Sequence, residues 1–284
     1  MIRTRTGIFE GAGGTVLRWR LWHPDAPRAT VLLVHGWGEH AGRYEVFAGG
    51  LAGRGYAVFA WDLRGHGRSE GPRGHADRFE DLEEDLGRAR LEAADRVREP
   101  DLPSVLFGHS LGGLIVLRSL QRDAGGVDAA VVSAPWLATA APVPALKRQA
   151  AGLLDRVWPS LGVPTGTRPE ALTRDPAMIR AHREDPLNHT RLSARLFFEV
   201  ERVQAEVRAD GGPAGVPVLV VVPEADPLVD ASVTTAFAEA RRGGGVERLG
   251  LPGLRHEPLN EVERDEVARS IGRWLDAHVP RAHG

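Results

Sequence analysis

The chain has 284 residues, 42% hydrophobic and 26% charged, with a formal net charge of −2; this is a globular composition with length enough for a buried core. Near-neutral charge argues against a nucleic-acid partner or a polybasic membrane anchor. The absence of cysteine excludes disulfides, thiol catalysis and thiolate-held metal.

Met1–Gly7 has no apolar core behind it, so no signal peptide is expected. No apolar run approaches the ~18 residues of a membrane span, and cytoplasm is the default compartment. The basic residues are arginines with one exception, Lys147. Thr15–Trp22 alternates with period two, as a half-exposed antiparallel strand does. His23–Arg28 holds two prolines and reads as a loop. Thr30–Val34 is a continuous apolar run, the mark of a strand buried on both faces, and it ends at His35-Gly36. Tyr44–Arg54 sets Tyr44, Phe47 and Leu51 on one helical face. Tyr56–Trp61 is the next strand. Asp77, with Glu80 three residues on, predicts a capping box for a helix reaching about Arg98, stopped by Pro100 and Pro103.

Ser104–Phe107 is a short apolar strand. It runs into Gly108-His109-Ser110-Leu111-Gly112, and then into a helix from Leu111 to about Gln121, closed by Gly125-Gly126. Asp128–Ser133 is a further strand. Strands alternating with helices predict an α/β class and a parallel sheet covered on both faces, with two antiparallel strands leading into it. From Trp136 to Leu192 the rhythm breaks: no strand pattern appears and the helical pieces are short. Residues 135–192 are therefore read as an insertion, with 1–134 and 193–284 forming the core. Within it Leu146, Ala150, Leu153, Val157 and Leu161 form an amphipathic stripe, widened by Leu154 and Trp158. Either that face packs on the domain, or it is a lid that contacts an apolar substrate or a lipid surface. Leu192–Arg208, Val216–Val222, Ser232–Arg242 and Val246–Leu251 restore the helix–strand alternation. Asn260 with Glu263 predicts the cap of a last helix, with Val267, Ile271 and Leu275 inward.

G-x-S-x-G between a strand and a helix is the context in which a serine becomes a nucleophile. The hydroxyl needs a base, and the base needs an acid that fixes its tautomer and stabilises its cation. Asp226 follows the strand ending at Val222, where parallel sheets place functional groups. Asp230 and Glu224 are the other candidate acids. His256 alone among the histidines follows that acid on a strand-to-helix loop; His23, His278 and His283 lie in terminal or exposed segments, and His182 and His189 in the insertion. Two backbone N–H groups should receive the developing oxyanion: Leu111, after the nucleophile, and Trp37, after the early strand. His35 is expected to pack behind the site. Asp62–Ser69 reads as a structural loop, and neither metal nor cofactor is implied.

Four stretches carry a family resemblance: His35–Tyr44, with its G-E-H-x-x-R-Y pattern; Asp62–Ser69; Gly108–Gly113; and Glu224–Val229 with His256-Glu257. Asp185-Pro186-Leu187 adds to them. The chain resembles the monoacylglycerol lipase/lysophospholipase branch of the α/β-hydrolases, grouped with serine aminopeptidase S33-like hydrolases. The resemblance implies Ser110 as nucleophile, Asp226 as acid, His256 as base, and the Trp37 and Leu111 amides as oxyanion donors. It also implies a cap between the sixth strand and the following helix, over an acyl-binding channel. Pro223-Glu224 and the cap sequence depart from the family pattern. The leading expectation is hydrolysis of mono-acyl lipid esters, with transient lipid contact through the cap. General esterase, lysophospholipase, thioesterase, peptidase or acyltransferase chemistry shares the same acyl-enzyme. A non-catalytic ligand receptor on this fold is the alternative from another class; a dehalogenase would want a carboxylate where Ser110 stands.

Overall fold

The computed structural model describes residues 1–99, 101–210 and 215–279; Pro100 and His283, both used above, lie outside them. In chain order the strands and α-helices are β1 (Ile2–Glu10), β2 (Val16–Pro24), β3 (Ala29–Val34), α1 (Glu45–Gly53), β4 (Tyr56–Trp61), α2 (Phe79–Val97), β5 (Ser104–His109), α3 (Leu111–Arg122), β6 (Ala129–Ser133), α4 (Ala145–Val157), β7 (Gly162–Pro164), α5 (Pro176–Glu184), β8 (Arg191–Ser193), α6 (Ala194–Ala209), β9 (Val218–Pro223), α7 (Ala231–Glu239), β10 (Val246–Leu251) and α8 (Arg264–His278).

Eight strands form one sheet in the order β1-β2-β4-β3-β5-β6-β9-β10. Hairpin β1–β2 joins β4 antiparallel, and every other pair is parallel. The central strands β3, β4, β5, β6 and β9 are rich in Val, Leu, Phe and Ala and almost entirely buried, because helices cover both faces. Alternate residues divide between two cores. Leu32, Val34, Leu106 and Val220 meet α2, α3, α6 and α7; Val31, Leu33, Phe107 and Val221 meet α1 and α8. The C-terminal ends of the parallel strands therefore share one rim, which carries the site.

Several sequence expectations change at the level of local structure. The cap of α2 shifts by one residue. Arg78, rather than Asp77, is the N-cap, and its N–H donates to Asp81 at 3.3 Å; Glu199 of α6 accepts the Phe79 N–H at 2.9 Å. Asn260 does not cap α8, which starts at Arg264; its side-chain amide donates instead to Glu257 at 3.0 Å. The insertion does contain strands, since β7 pairs antiparallel with β8.

The apolar stripe of α4 faces outward. Leu146, Leu153, Val157 and Trp158 are 78%, 64%, 76% and 57% exposed, and Ala150 is exposed too. No residue of α4 is fully buried, and Lys147, Gln149 and Arg156 are exposed as well; on the side toward α6, Arg148 pairs with Glu201, and Asp155 accepts from Arg195 at 2.7 Å. Leu161 falls beyond the end of the helix. Among the described residues no helix is long and apolar enough to cross a membrane.

Candidate active site

Ser110 sits between β5 and α3 with φ 52° and ψ −113°, a conformation that costs a residue with a Cβ on the order of 1–3 kcal/mol. Its surroundings hold it there. The Ser110 N–H donates to Ser133 O at 2.9 Å, and its carbonyl accepts from Leu114 at 3.1 Å and Trp136 at 3.0 Å. The flanking glycines allow the close approach: a Cβ on Gly108 would overlap the Gly112 carbonyl, and one on Gly112 would overlap the carbonyls of Val34 and His35.

Three loops converge on the Ser110 hydroxyl. His256, on the loop after β10, has Nε2 3.0 Å from Ser110 Oγ and Nδ1 2.6 Å from Asp226 Oδ2. With the Nδ1–H donating to the carboxylate, Nε2 is left to accept the serine proton. Asp226 Oδ1 in turn accepts the N–H groups of Leu228 at 2.8 Å and Val229 at 3.0 Å, which aims Oδ2 at the imidazole. Burial alone would push the Asp226 carboxyl up; the imidazole and these N–H groups outweigh it and hold it below its ordinary range. Burial opposes a charge on His256 as well, yet the Asp226 carboxylate leaves its pKa above the ordinary 6.5. The rival acids are engaged elsewhere. Asp230 caps α7 through the N–H groups of Ser232 and Val233, and Glu224 pairs with Arg248.

The loop after β3 lies against the serine: a Cβ built on Gly36 would sit 3.2 Å from Ser110 Cβ. Among the described residues, the backbone N–H groups of Trp37 and Leu111 donate to no protein acceptor. Leu111 opens α3, so its N–H is one of the free donors of a helix start. His35 packs behind this loop, with Nδ1 2.7 Å from Gly36 O and Nε2 accepting from Leu63 N–H at 2.9 Å. Asp62 clamps its own loop by accepting from Ala41 at 2.9 Å and Arg68 at 2.8 Å. No group of three or more His, Asp or Glu among the described residues could hold a metal ion.

Sequence reading missed a buried ion cluster beneath the site. Arg43 donates to Glu39 at 2.9 Å and to both oxygens of Glu257 at 2.6 Å. Glu39 also accepts the Gly36 N–H at 2.7 Å and the Tyr44 hydroxyl at 2.8 Å. One guanidinium thus ties the peptide before Trp37 to the residue after His256. Burial would raise the Glu257 carboxyl, but Arg43 brings it to about 2. The G-E-H-x-x-R-Y pattern carried the signal for Glu39, Arg43 and Tyr44; their meeting with Glu257, 214 residues beyond Arg43, is visible only in the fold. The His109 ring lies 4.9 Å from that of His256, tilted by 53°, and burial, then His256 itself, lowers its pKa to about 4, so it is neutral near pH 7.

The insertion reaches all three loops. His189 N–H donates to Gly38 O at 2.9 Å, and the Trp37 indole donates to Arg191 O at 3.0 Å. Asp230 N–H donates to Ala138 O at 3.0 Å on the loop that carries Asp226, and Glu257 N–H to Leu172 O at 2.8 Å beside His256. Asp185 accepts from His40 Nε2 at 2.8 Å.

A family model described as serine aminopeptidase, S33 matches residues 25–263. The monoacylglycerol lipase of Mycolicibacterium smegmatis is 32% identical over 273 residues, covering 95% of this chain and 96% of that protein. The human monoglyceride lipase is 33% identical, covering 95% of this chain and 90% of its own. Among solved structures, the monoacylglycerol lipase of Paleococcus ferrophilus superposes with a TM-score of 0.81 at 29% identity, over 98% of this chain and 99% of that one. The architecture is the α/β-hydrolase fold.

Proposed function

Because the chain belongs to the serine aminopeptidase, S33 family, we propose that it is a serine carboxylic-ester hydrolase that cleaves monoacylglycerols through an acyl-enzyme on Ser110. The observation that carries this reading is the hydrogen-bonded chain from Ser110 through His256 to Asp226, at 3.0 and 2.6 Å. Ser110 Oγ attacks the ester carbonyl as His256 Nε2 takes its proton, and Asp226 stabilises the imidazolium that forms. The Trp37 and Leu111 N–H groups receive the oxyanion. His256 then protonates the departing glycerol oxygen. Water, activated by the same imidazole, releases the fatty acid and restores the serine.

In this reading residues 135–192 act as a helical cap over an acyl-binding channel, and the outward apolar face of α4 rests transiently on lipid. The support is its exposure: Leu146, Leu153, Val157 and Trp158 turn more than half of their surface to solvent, an arrangement that a lipid interface favours.

The test is a chain-length series of glycerol and p-nitrophenyl esters with Ser110→Ala as control. Wild type should hydrolyse mono-acyl esters, and Ser110→Ala should lose about 10³-fold or more in kcat. Since a neutral His256 is needed and its pKa is raised, the rate should climb with pH through a value above 6.5. Retained activity in Ser110→Ala, or a flat profile from about pH 5 to 8, would sink the mechanism.

A further inference from the structure

Glu261 is completely buried and sits five residues after His256. Its two carboxylate oxygens serve different parts of the chain. Oε1 accepts the N–H of Arg255, the residue before His256, at 2.9 Å. Oε2 accepts the N–H of Arg174, in the insertion, at 3.0 Å. The seam continues on both sides. Thr173 Oγ1 donates to Asn260 O at 2.8 Å, Glu257 N–H donates to Leu172 O at 2.8 Å, and the Arg255 guanidinium reaches Glu170 O. Arg174 Nε approaches both Glu261 oxygens at 3.2 Å. By contrast, α4 is held to α6 through partly exposed ion pairs.

A buried carboxylate is an expensive way to fill space, because its desolvation must be offset by donors. Here those donors are backbone N–H groups from two segments that the sequence separates by some eighty residues, together with the Arg174 guanidinium. We propose that Glu261 is a positioning residue for His256, joining insertion residues 170–174 to the loop that carries the base, so that the base is aligned only while this part of the cap is seated. The proposal rests on the reading of His256 as the base of a serine hydrolase. His256 itself faces Asp226, Glu257, Glu39, His109 and Ser110; Glu261 touches none of its ring atoms and acts through the backbone of Arg255.

The experiment uses the full chain, a soluble p-nitrophenyl ester, and fluorophosphonate titration of Ser110 to count competent molecules. Melting curves set a temperature at which every variant is folded. Glu261→Ala should lower kcat per competent site by about tenfold or more with KM nearly unchanged, as a misplaced base does. It should also move the acid limb of the pH profile to lower pH, as His256 loosens from Asp226. Glu261→Gln keeps one oxygen for the Arg255 N–H but turns an NH2 toward the Arg174 N–H; it should keep the original limb while recovering only part of kcat. Glu261→Asp keeps the charge but is too short to span both N–H groups; it should fall between, and it carries the test if Glu261→Ala does not fold. Wild-type kcat per site with an unmoved limb in Glu261→Ala or Glu261→Asp overturns the proposal, since a mere buttress would change the melting temperature alone. A wild-type chain that leaves the ester intact, or an active Ser110→Ala, overturns the serine-hydrolase reading instead.

Discussion

Arg43→Met removes a buried charge while keeping most of the side-chain volume. In the native protein the guanidinium makes three charge-assisted hydrogen bonds, of 2.9, 2.6 and 2.6 Å, to Glu39 and Glu257. The three side chains are 10%, 4% and 6% exposed, so solvent screens them little. Removing one partner of such a pair costs about 3–5 kcal/mol, because the remaining charge stays buried. The same pairing holds the Glu257 carboxyl well below its ordinary range against the pull of burial, the direction that such a loss requires. The expected drop in Tm is about 6–10 °C. The pH dependence gives a sharper sign. In wild type the folded Glu257 pKa lies below the unfolded one, so its contribution is full above about pH 4.5 and is lost as pH falls toward about 2. In Arg43→Met the burial that raises both carboxyls is opposed by neutral donors rather than by a charge: Gly36 N–H and the Tyr44 hydroxyl at Glu39, and the Asn260 amide at Glu257. Their folded pKa values then exceed the unfolded ones, and the contribution is lost as pH rises through the raised values. Urea unfolding at several pH values between about 5 and 8, at constant ionic strength, reads both slopes. A variant within about 1 kcal/mol of wild type, or one whose stability climbs with pH across that window, refutes the account.

Gly112→Ala should cost more than about 3 kcal/mol, because its Cβ meets backbone carbonyls that cannot retreat; Gly50→Ala, in open space within α1, should instead stabilise by up to about 1 kcal/mol. Thermal melts of the pair check both, and a Gly112→Ala protein as stable as wild type would contradict the packing at the elbow. Replacing Leu146, Leu153 and Val157 together with glutamine should leave Tm and soluble-ester hydrolysis unchanged. Partition to lipid vesicles should fall about a hundredfold, the order expected on losing about 3 kcal/mol of apolar contact. Sedimentation with vesicles measures this, and undiminished binding would remove α4 as the contact.

The sheet was legible because its central strands are short continuous apolar runs that alternate with helical patterns. Two antiparallel leading strands were expected and are present, but only the second could be placed: Ile2–Glu10 is an exposed edge with little pattern to read. The three-residue strands β7 and β8 are too short to carry a period and exist through their pairing across the insertion. Periodicity located α4 but did not orient it. An apolar stripe says that one face is apolar; the ion pairs of Arg148 and Asp155 with α6 decide which face points inward. The meeting of Ser110, Asp226 and His256 was foreseeable from chain order, because each follows the end of a parallel strand. The motifs singled out Glu39, Arg43 and Glu257, but only the fold brings them onto one guanidinium; Glu261, in no motif, is buried at a separate seam with Arg174 and Arg255.

The insertion's attachments also set the terms on which such a protein can change. Residues 138–140 bond to the acid loop, 170–174 to the base loop, and 189–191 to the loop after β3. Between the first two lies α4, tied to the core by a few peripheral ion pairs. A lineage, or an engineer, can therefore rewrite 141–161 as a replaceable cassette with little risk to the chemistry beneath. Exchange of the remainder has to bring its anchor residues with it. The tether is loosest at 141–161 and densest at 138–140, 170–174 and 189–191.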